Sequence, residues 1–567
     1  MLLRSPFVAA SLALLVAAAP PQQSMPDMPG MNHHDAPAPG PLFSVGDWAK
    51  GAQLFTGLGT FHRKASTRSA QAHAYFDQGM RLLWAFNHDE ATRSFAKAAQ
   101  LDPRCAICFW GVALTLGPNY NMPMMAESRA KVAWDALQQA KAHAATATPV
   151  EQALITALDK RFLGPKPLDP SNTGPVLTGY AKAMGAVAKR FPNDLDVQVM
   201  HAEAIMNMNP WKLWNQDGTP APGTMDAVQA LEAAIARDKL HPGANHYYIH
   251  AIEASRHPEK ALPSAERLKA MMPGAGHMVH MPAHILQLVG RYEESAEANR
   301  NGAAADIAYY AKTRPLDYYP MYTAHNYQFL ASSAAMEGRR AETIAALKQA
   351  RTMAPDEMLL AMGNLDWTIG YLYDAYVRFG QWDAMLAEPA PNPKLHGLTV
   401  GYWSDRAIAL AAKGQVVEAE AAAATMDKAI AAAPAEYQGG MNMAKPLFEI
   451  AALRARARIA QAKGDAAGAV ALLTQAVAIE DRLSYNEPTD EFFPTRHLLG
   501  AALLTAGKPA EAESVYREDL KRNPANGWAL YGLAAALDAQ KRDGGSARAD
   551  QAKAWTHADT PLTASAF

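Results

Sequence analysis

AYFDQGMRLLWAFNHDEATRSFAKAAQLDP, residues 74–103, reads as two amphipathic helices joined by a polar turn. Gly79 gives the first helix a place where a neighbour can come close, Asn87 to Asp89 break the apolar pattern, and Ala91, Phe95 and Ala98 then recur at helical spacing, facing back. Asp102-Pro103 stops the second helix, because proline has no amide hydrogen to donate and its ring crowds the preceding turn. Such a hairpin cannot cover its own apolar face. Its core has to come from a stacked copy.

The same grammar returns in HILQLVGRYEESAEANRNGAAADI from 284, AHNYQFLASSAAMEGRRAETIAALKQARTMAP from 324 and ALRARARIAQAKGDAAGAVALLTQAVAIE from 452. RHLLGAALLTAGKPAEAESVYREDLKRNP from 496 is the cleanest copy, and ALYGLAAALDAQKR follows it as a capping helix. Repeats of this kind resemble tetratricopeptide units, so the expected fold is all-α: a tetratricopeptide-like α-α superhelical solenoid with several long inserted loops. The loops are at 163–175, 209–224, 313–322, 388–397 and 484–496, and those at 209–224, 313–322 and 484–496 are rich in aromatic residues. Exposed aromatics favour association unless they cover or bind something, so these loops are expected to fold over one face.

The chain has 567 residues, 49% hydrophobic and 19% charged, with a formal charge of -2. That supports a large core, and with no Lys/Arg block it argues against a nucleic-acid partner. Residues 1–20 carry one Arg, an apolar run and small residues, the pattern of a signal peptide, so a periplasmic or secreted product is expected. The only cysteines, Cys105 and Cys108, lie far from the cleavage region, so no lipid anchor is expected there, and no later run is long enough for a membrane span. Residues 21–45 read as a flexible tail in which Met25, Met28, Met31, His33 and His34 offer soft donors suited to copper. Beyond it the expected divisions are N-terminal helical repeats at 46–210, an inserted loop at 211–224, central His-bearing repeats at 225–380 and C-terminal repeats with the cap at 381–567.

HPGANHYYIHAIEAS, 241–255, carries His246 and His250 four apart, and GHMVHMPAHILQLVG repeats the pair thirty-four residues later as His280 and His284. A pair at i, i+4 shares one helix face, and equivalent helices of adjacent repeats lie roughly 8 to 10 Å apart. With His277, five imidazoles are expected to face a common groove. Glu253 adds a carboxylate, and His201, Glu203 and His325 extend the row. Imidazole and carboxylate together suit zinc or copper, and Met271, Met272, Met278 and Met281 nearby lean toward copper. Duplicated repeats also keep residues at equivalent positions for packing alone, and the Glu that follows the first His in zinc proteases is here Tyr247.

Cys105 and Cys108 suit a local disulfide, with free or metal-bound thiols as alternatives. In the loop YNEPTDEFFPTRH, Tyr485, Glu487 and Arg496 are candidates for contacting a ligand, against a plainer reading in which the aromatics dock and the Arg pairs with a carboxylate.

FNHDEATRSFAKAAQLDPRCAICFWGVALTLGPNYN, HPGANHYYIHAIEAS, PGAGHMVHMPAHILQLVGRYEESAEAN and EPTDEFFPTRHLLGAALLTAGKPAEAESVYREDL together resemble large exported bacterial tetratricopeptide-repeat proteins, over about residues 70 to 540. The resemblance implies an α-solenoid and carries over no catalytic residue. EPTDEFFP stands where that family would have a Trp-bearing EPPxWxxP, so a ligand contact by that Trp has no counterpart here. Two function classes follow. One is a scaffold whose concave groove holds a protein or peptide segment or a small ligand, with a copper or zinc site on adjacent repeats. The other is a metal-dependent oxidase or hydrolase using the same His/Glu row.

Overall fold

The computed structural model describes residues 42–314, 319–363 and 365–567. The expected signal peptide and the donors Met25, Met28, Met31, His33 and His34 lie outside the described residues. The chain is all-α and of tetratricopeptide-like type. A two-stranded ribbon, Gln438–Gly439 against Asn442–Met443, is the one sheet among the described residues. None of the described helices is long and apolar enough to cross a membrane.

The described residues form two compact units. One comprises 42–213 and 222–247, the other 214–221 and 248–567. In the first, the hairpin read from sequence is Ala70–Trp84 followed by His88–Leu101. Ser69 caps the first helix through Ala72 N, and Asn87 caps the second through Glu90 N; each side-chain oxygen satisfies an amide that has no partner within the helix. The Phe95 ring lies so close to Gly79 and Gly111 that a Cβ at either would stand 2.6 or 2.5 Å from it. Cys105 and Cys108 are joined by a disulfide at the start of the helix Ala106–Leu116.

The second unit repeats the hairpin: Pro320–Met336 with Arg340–Met353, His396–Ala412 with Val416–Ala432, Ala444–Ala462 with Ala466–Glu480, and Thr495–Thr505 with Pro509–Arg522. Each turn places a glycine of positive φ just before the next helix: Gly338 at 71°, Gly414 at 76°, Gly464 at 81° and Gly507 at 72°. Glycine pays no Cβ penalty there. In the first unit the equivalent position is Phe86, at φ 54° and buried. The Phe95 arrangement also recurs, with Tyr516 lying between Gly500 and Gly532 at built-Cβ distances of 2.3 and 2.2 Å. Leu330, Leu347, Tyr371, Tyr402, Phe448 and Trp528 belong to the main core cluster of this unit.

Candidate metal centre

His250 lies on the helix Pro242–Ile252 and Glu253 just past its end; His284 lies on the helix Pro282–Leu288. Glu487 comes from the irregular loop after Glu480. That loop is held by bonds to distant helices. Trp367 Nε1 donates to Asp490 O at 2.8 Å, the Tyr371 hydroxyl donates to Thr489 O, and Arg454 Nη1 donates to Glu491 Oε2 at 2.6 Å. Asn442 is bound to the loop three times: its Nδ2 donates to Asp490 Oδ2 at 2.6 Å and to Ser484 O at 3.1 Å, and its Oδ1 accepts from Ser484 N at 2.8 Å. Phe492 and Phe493 are buried beneath it.

The result is a closed cluster of four donors, His250, Glu253, His284 and Glu487, one ligand atom from each lying within 4.8 Å of the others. None of these side chains is more than 3% exposed. His284 Nδ1 lies 2.6 Å from Glu253 Oε2 and 2.6 Å from Glu487 Oε2, while His250 Nδ1 lies 2.8 Å from Glu253 Oε1. The Tyr485 hydroxyl donates to Glu487 Oε2 at 2.9 Å. Glu487 Oε1 is buried with no hydrogen-bond partner among the described residues.

The hydrogen-bond pattern fixes where protons sit. Asn299 Nδ2 donates to Ser295 O at 2.8 Å, which turns its Oδ1 toward His280 Nδ1 at 2.6 Å as the acceptor. His280 Nε2 is then the unprotonated nitrogen, and it lies 2.6 Å from His284 Nε2, which must donate. His284 thus carries a proton on both nitrogens and is an imidazolium. The electrostatics agree. Burial alone would depress His284, but the carboxylates of Glu487 and Glu253 lift it to about 10. Burial depresses His250 to about 3 and His325 to about 4, and drives His280 well down. Burial and the neighbouring Glu253 raise Glu487.

The remaining candidates divide. His325 joins His280 and His284 in a second potential donor group, its ring 4.9 Å from that of His280. His277 stacks 6.2 Å from His250, and the Tyr322 ring lies tilted against it at 4.8 Å. His246 belongs to the first unit, where its Nδ1 meets Trp84 O at 2.6 Å and its ring lies 4.4 Å from Phe86. The five imidazoles are buried rather than groove-lining. In the first unit, Glu203 accepts from Asn207 and His201 lies against Gly185, with Nε2 3.0 Å from a Cβ built there. Arg496 pairs with both oxygens of Asp481 at 2.7 Å, the plainer of its two readings. Met278 and Met281 are fully buried.

Two features escaped sequence reasoning. Glu487 was legible as a ligand candidate but not as a partner of His284, and Asn299, which sets the His280 tautomer, gave no signal. A further group of His62, His73 and Asp77 lies in the first unit, partly exposed.

No family model and no curated protein matches this sequence. Among solved structures, a monomeric mutant of IFIT1 with m7Gppp-AAAA aligns with 12% identity over 90% of this chain and 98% of its own, at a TM-score of 0.34. The Cut9–Hcn1 hetero-tetramer of APC/C aligns with 13% identity over 87% and 80%, at 0.32. Yeast Tom70 aligns with 11% identity over 84% and 90%, at 0.28. Likenesses at this level assign no partner and no activity to this chain.

Proposed function

We propose that this protein is an exported binding scaffold of tetratricopeptide-like repeats whose second unit holds a structural transition-metal ion, with His250, Glu253, His284 and Glu487 as ligands. The observation that carries the reading is the convergence of four buried donors from three parts of the chain, one carboxylate oxygen of which has no hydrogen-bond partner among the described residues. A buried charge is retained when it is paired or coordinates an ion. Two imidazoles and two carboxylates form a nitrogen-oxygen set of borderline hardness, which suits zinc better than Cu(I). Bonds of about 2 Å in a tetrahedral site put donor atoms roughly 3.3 Å apart, so the ion enters by small shifts of the donors together with release of the His284 Nδ1 proton, which the positive charge of the ion replaces between the two carboxylates.

The closed burial supports holding an ion over oxidase or hydrolase chemistry, since catalytic zinc keeps an open coordination position. Export rests on residues 1–20, and the Cys105–Cys108 bond accords with an oxidising compartment. The test is zinc binding to untagged protein freed of metal by a chelator, compared with Glu487→Gln and His250→Ala. One equivalent of zinc bound by the native chain, with at least ten-fold weaker binding in both variants, is expected. Native protein that takes up no stoichiometric zinc or copper refutes the site.

A further inference from the structure

A cavity lies among the C-terminal repeats of the second unit; none of the four donors lines it, and the two share only Arg454, which lines the cavity and also holds the Glu487-bearing loop through Glu491. Its volume is about 490 Å³, within the range of small-molecule sites. Val377 lies on the helix Tyr371–Arg378, Ile408 on His396–Ala412, Leu498 on Thr495–Thr505 and Tyr531 on Gly527–Ala539, and Leu473 on Ala466–Glu480 also lines it. Most of this lining is apolar.

Two arginines one helical turn apart, Arg454 and Arg458, project from Ala444–Ala462 into the same cavity. They differ in charge balance. Arg454 is neutralised by Glu491 at 2.6 Å and Asp374 at 3.2 Å. Arg458 has no carboxylate partner among the described residues: its Nη1 donates to the neutral Gln461 Oε1 at 3.2 Å, its Nε is buried without a partner, and burial alone holds its pKa below the usual guanidinium range.

The roof is a segment of the chain itself, Thr563 to Phe567. Ser565 fixes it. The Tyr516 hydroxyl donates to Ser565 Oγ at 2.6 Å, Ser565 Oγ donates to His497 O at 2.9 Å, and Arg378 Nη1 donates to Ser565 O at 3.2 Å. Phe567 packs edge-on against Trp528 at 5.9 Å. The neighbours Thr563 and Ala566 carry no such bonds and lie at least partly exposed.

We infer that this cavity binds an apolar carboxylate, its chain lying along Val377, Ile408, Leu473 and Tyr531 and its carboxylate paired with Arg458 beneath the Thr563–Phe567 roof. The guanidinium supplies parallel N–H donors matched to a carboxylate, and the apolar walls supply the affinity of burial. The inference does not depend on the metal site, and either can fail without the other.

Decanoate, below its micellar concentration, is the probe, with decylamine as the control of opposite charge and equal length. Isothermal titration of the native chain is expected to show saturable one-to-one decanoate binding and no matching binding of decylamine. Arg458→Met is expected to weaken decanoate binding at least ten-fold, and Arg458→Lys to restore part of it. Absence of saturable decanoate binding, equal binding of decylamine, or undiminished binding in Arg458→Met each overturns the inference. If Arg458→Met does not fold, the decanoate and decylamine comparison on the native chain decides.

Discussion

Replacing Asn442 with alanine tests whether the loop, rather than the histidines alone, makes the metal centre. Asn442 touches none of the four donors in the hydrogen-bond pattern, yet it holds both ends of the segment that delivers Glu487 through Ser484 and Asp490. The residue is 8% exposed, so water does not replace its side chain freely. Three hydrogen bonds at about 1 kcal/mol each, with the Asp490 carboxylate left short of a donor, put the cost at about 2–4 kcal/mol of stability in the second unit. Residues that orient ligands without binding the ion typically change affinity 10- to 100-fold, or about 1.4–2.7 kcal/mol. Zinc affinity of Asn442→Ala, measured by competition with a chelator, should fall within that window while the far-ultraviolet circular dichroism stays helical. Native affinity in a variant that shows the expected loss of stability would mean that Glu487 does not hold the ion.

Asp306, fully buried and bonded by Tyr319, Thr323 and Asn326, is pushed by burial up to about 7. Its folded value is raised above the unfolded one, so its stabilising contribution is complete below about pH 4 and is lost as pH rises through 7; urea midpoints of the native chain should show this fall, and Asp306→Asn should flatten it. Gly500→Ala or Gly532→Ala forces a Cβ against the Tyr516 ring, and overpacking of about 1–3 kcal/mol should exceed the gain in helix propensity; a variant as stable as the native chain in urea would contradict that packing. Phe86→Gly relieves a left-handed backbone at about 1 kcal/mol but removes a buried ring that contacts His246 and Tyr247, so thermal unfolding is expected at lower temperature.

The hairpins were legible because their cues are local. Glycine and Asn/Asp turns, proline stops and the spacing of Gly79 to Phe95 act within one repeat, and the structure uses them within one repeat. The donor cluster proposed to hold a metal was half legible. A spacing of thirty-four residues marked His250 and His284 as neighbours, and of His246 it could not show that its Nδ1 meets Trp84 O. The loop bearing Glu487 was opaque for a different reason. Its conformation is dictated by Trp367, Tyr371 and Asn442, and no periodic pattern encodes where such a segment docks. Its aromatic content announced that it would dock, and Phe492 and Phe493 do.

Because Glu487 follows His284 by more than two hundred residues, a nascent chain emerging in order displays the histidines long before the last carboxylate exists. Closing so long a stretch carries a loop entropy that grows only slowly with its length, so an ion waiting on the early donors would favour the finished arrangement over partial ones. Ion loading would then act as a check on completeness, with chains shortened before residue 487 left unable to retain it.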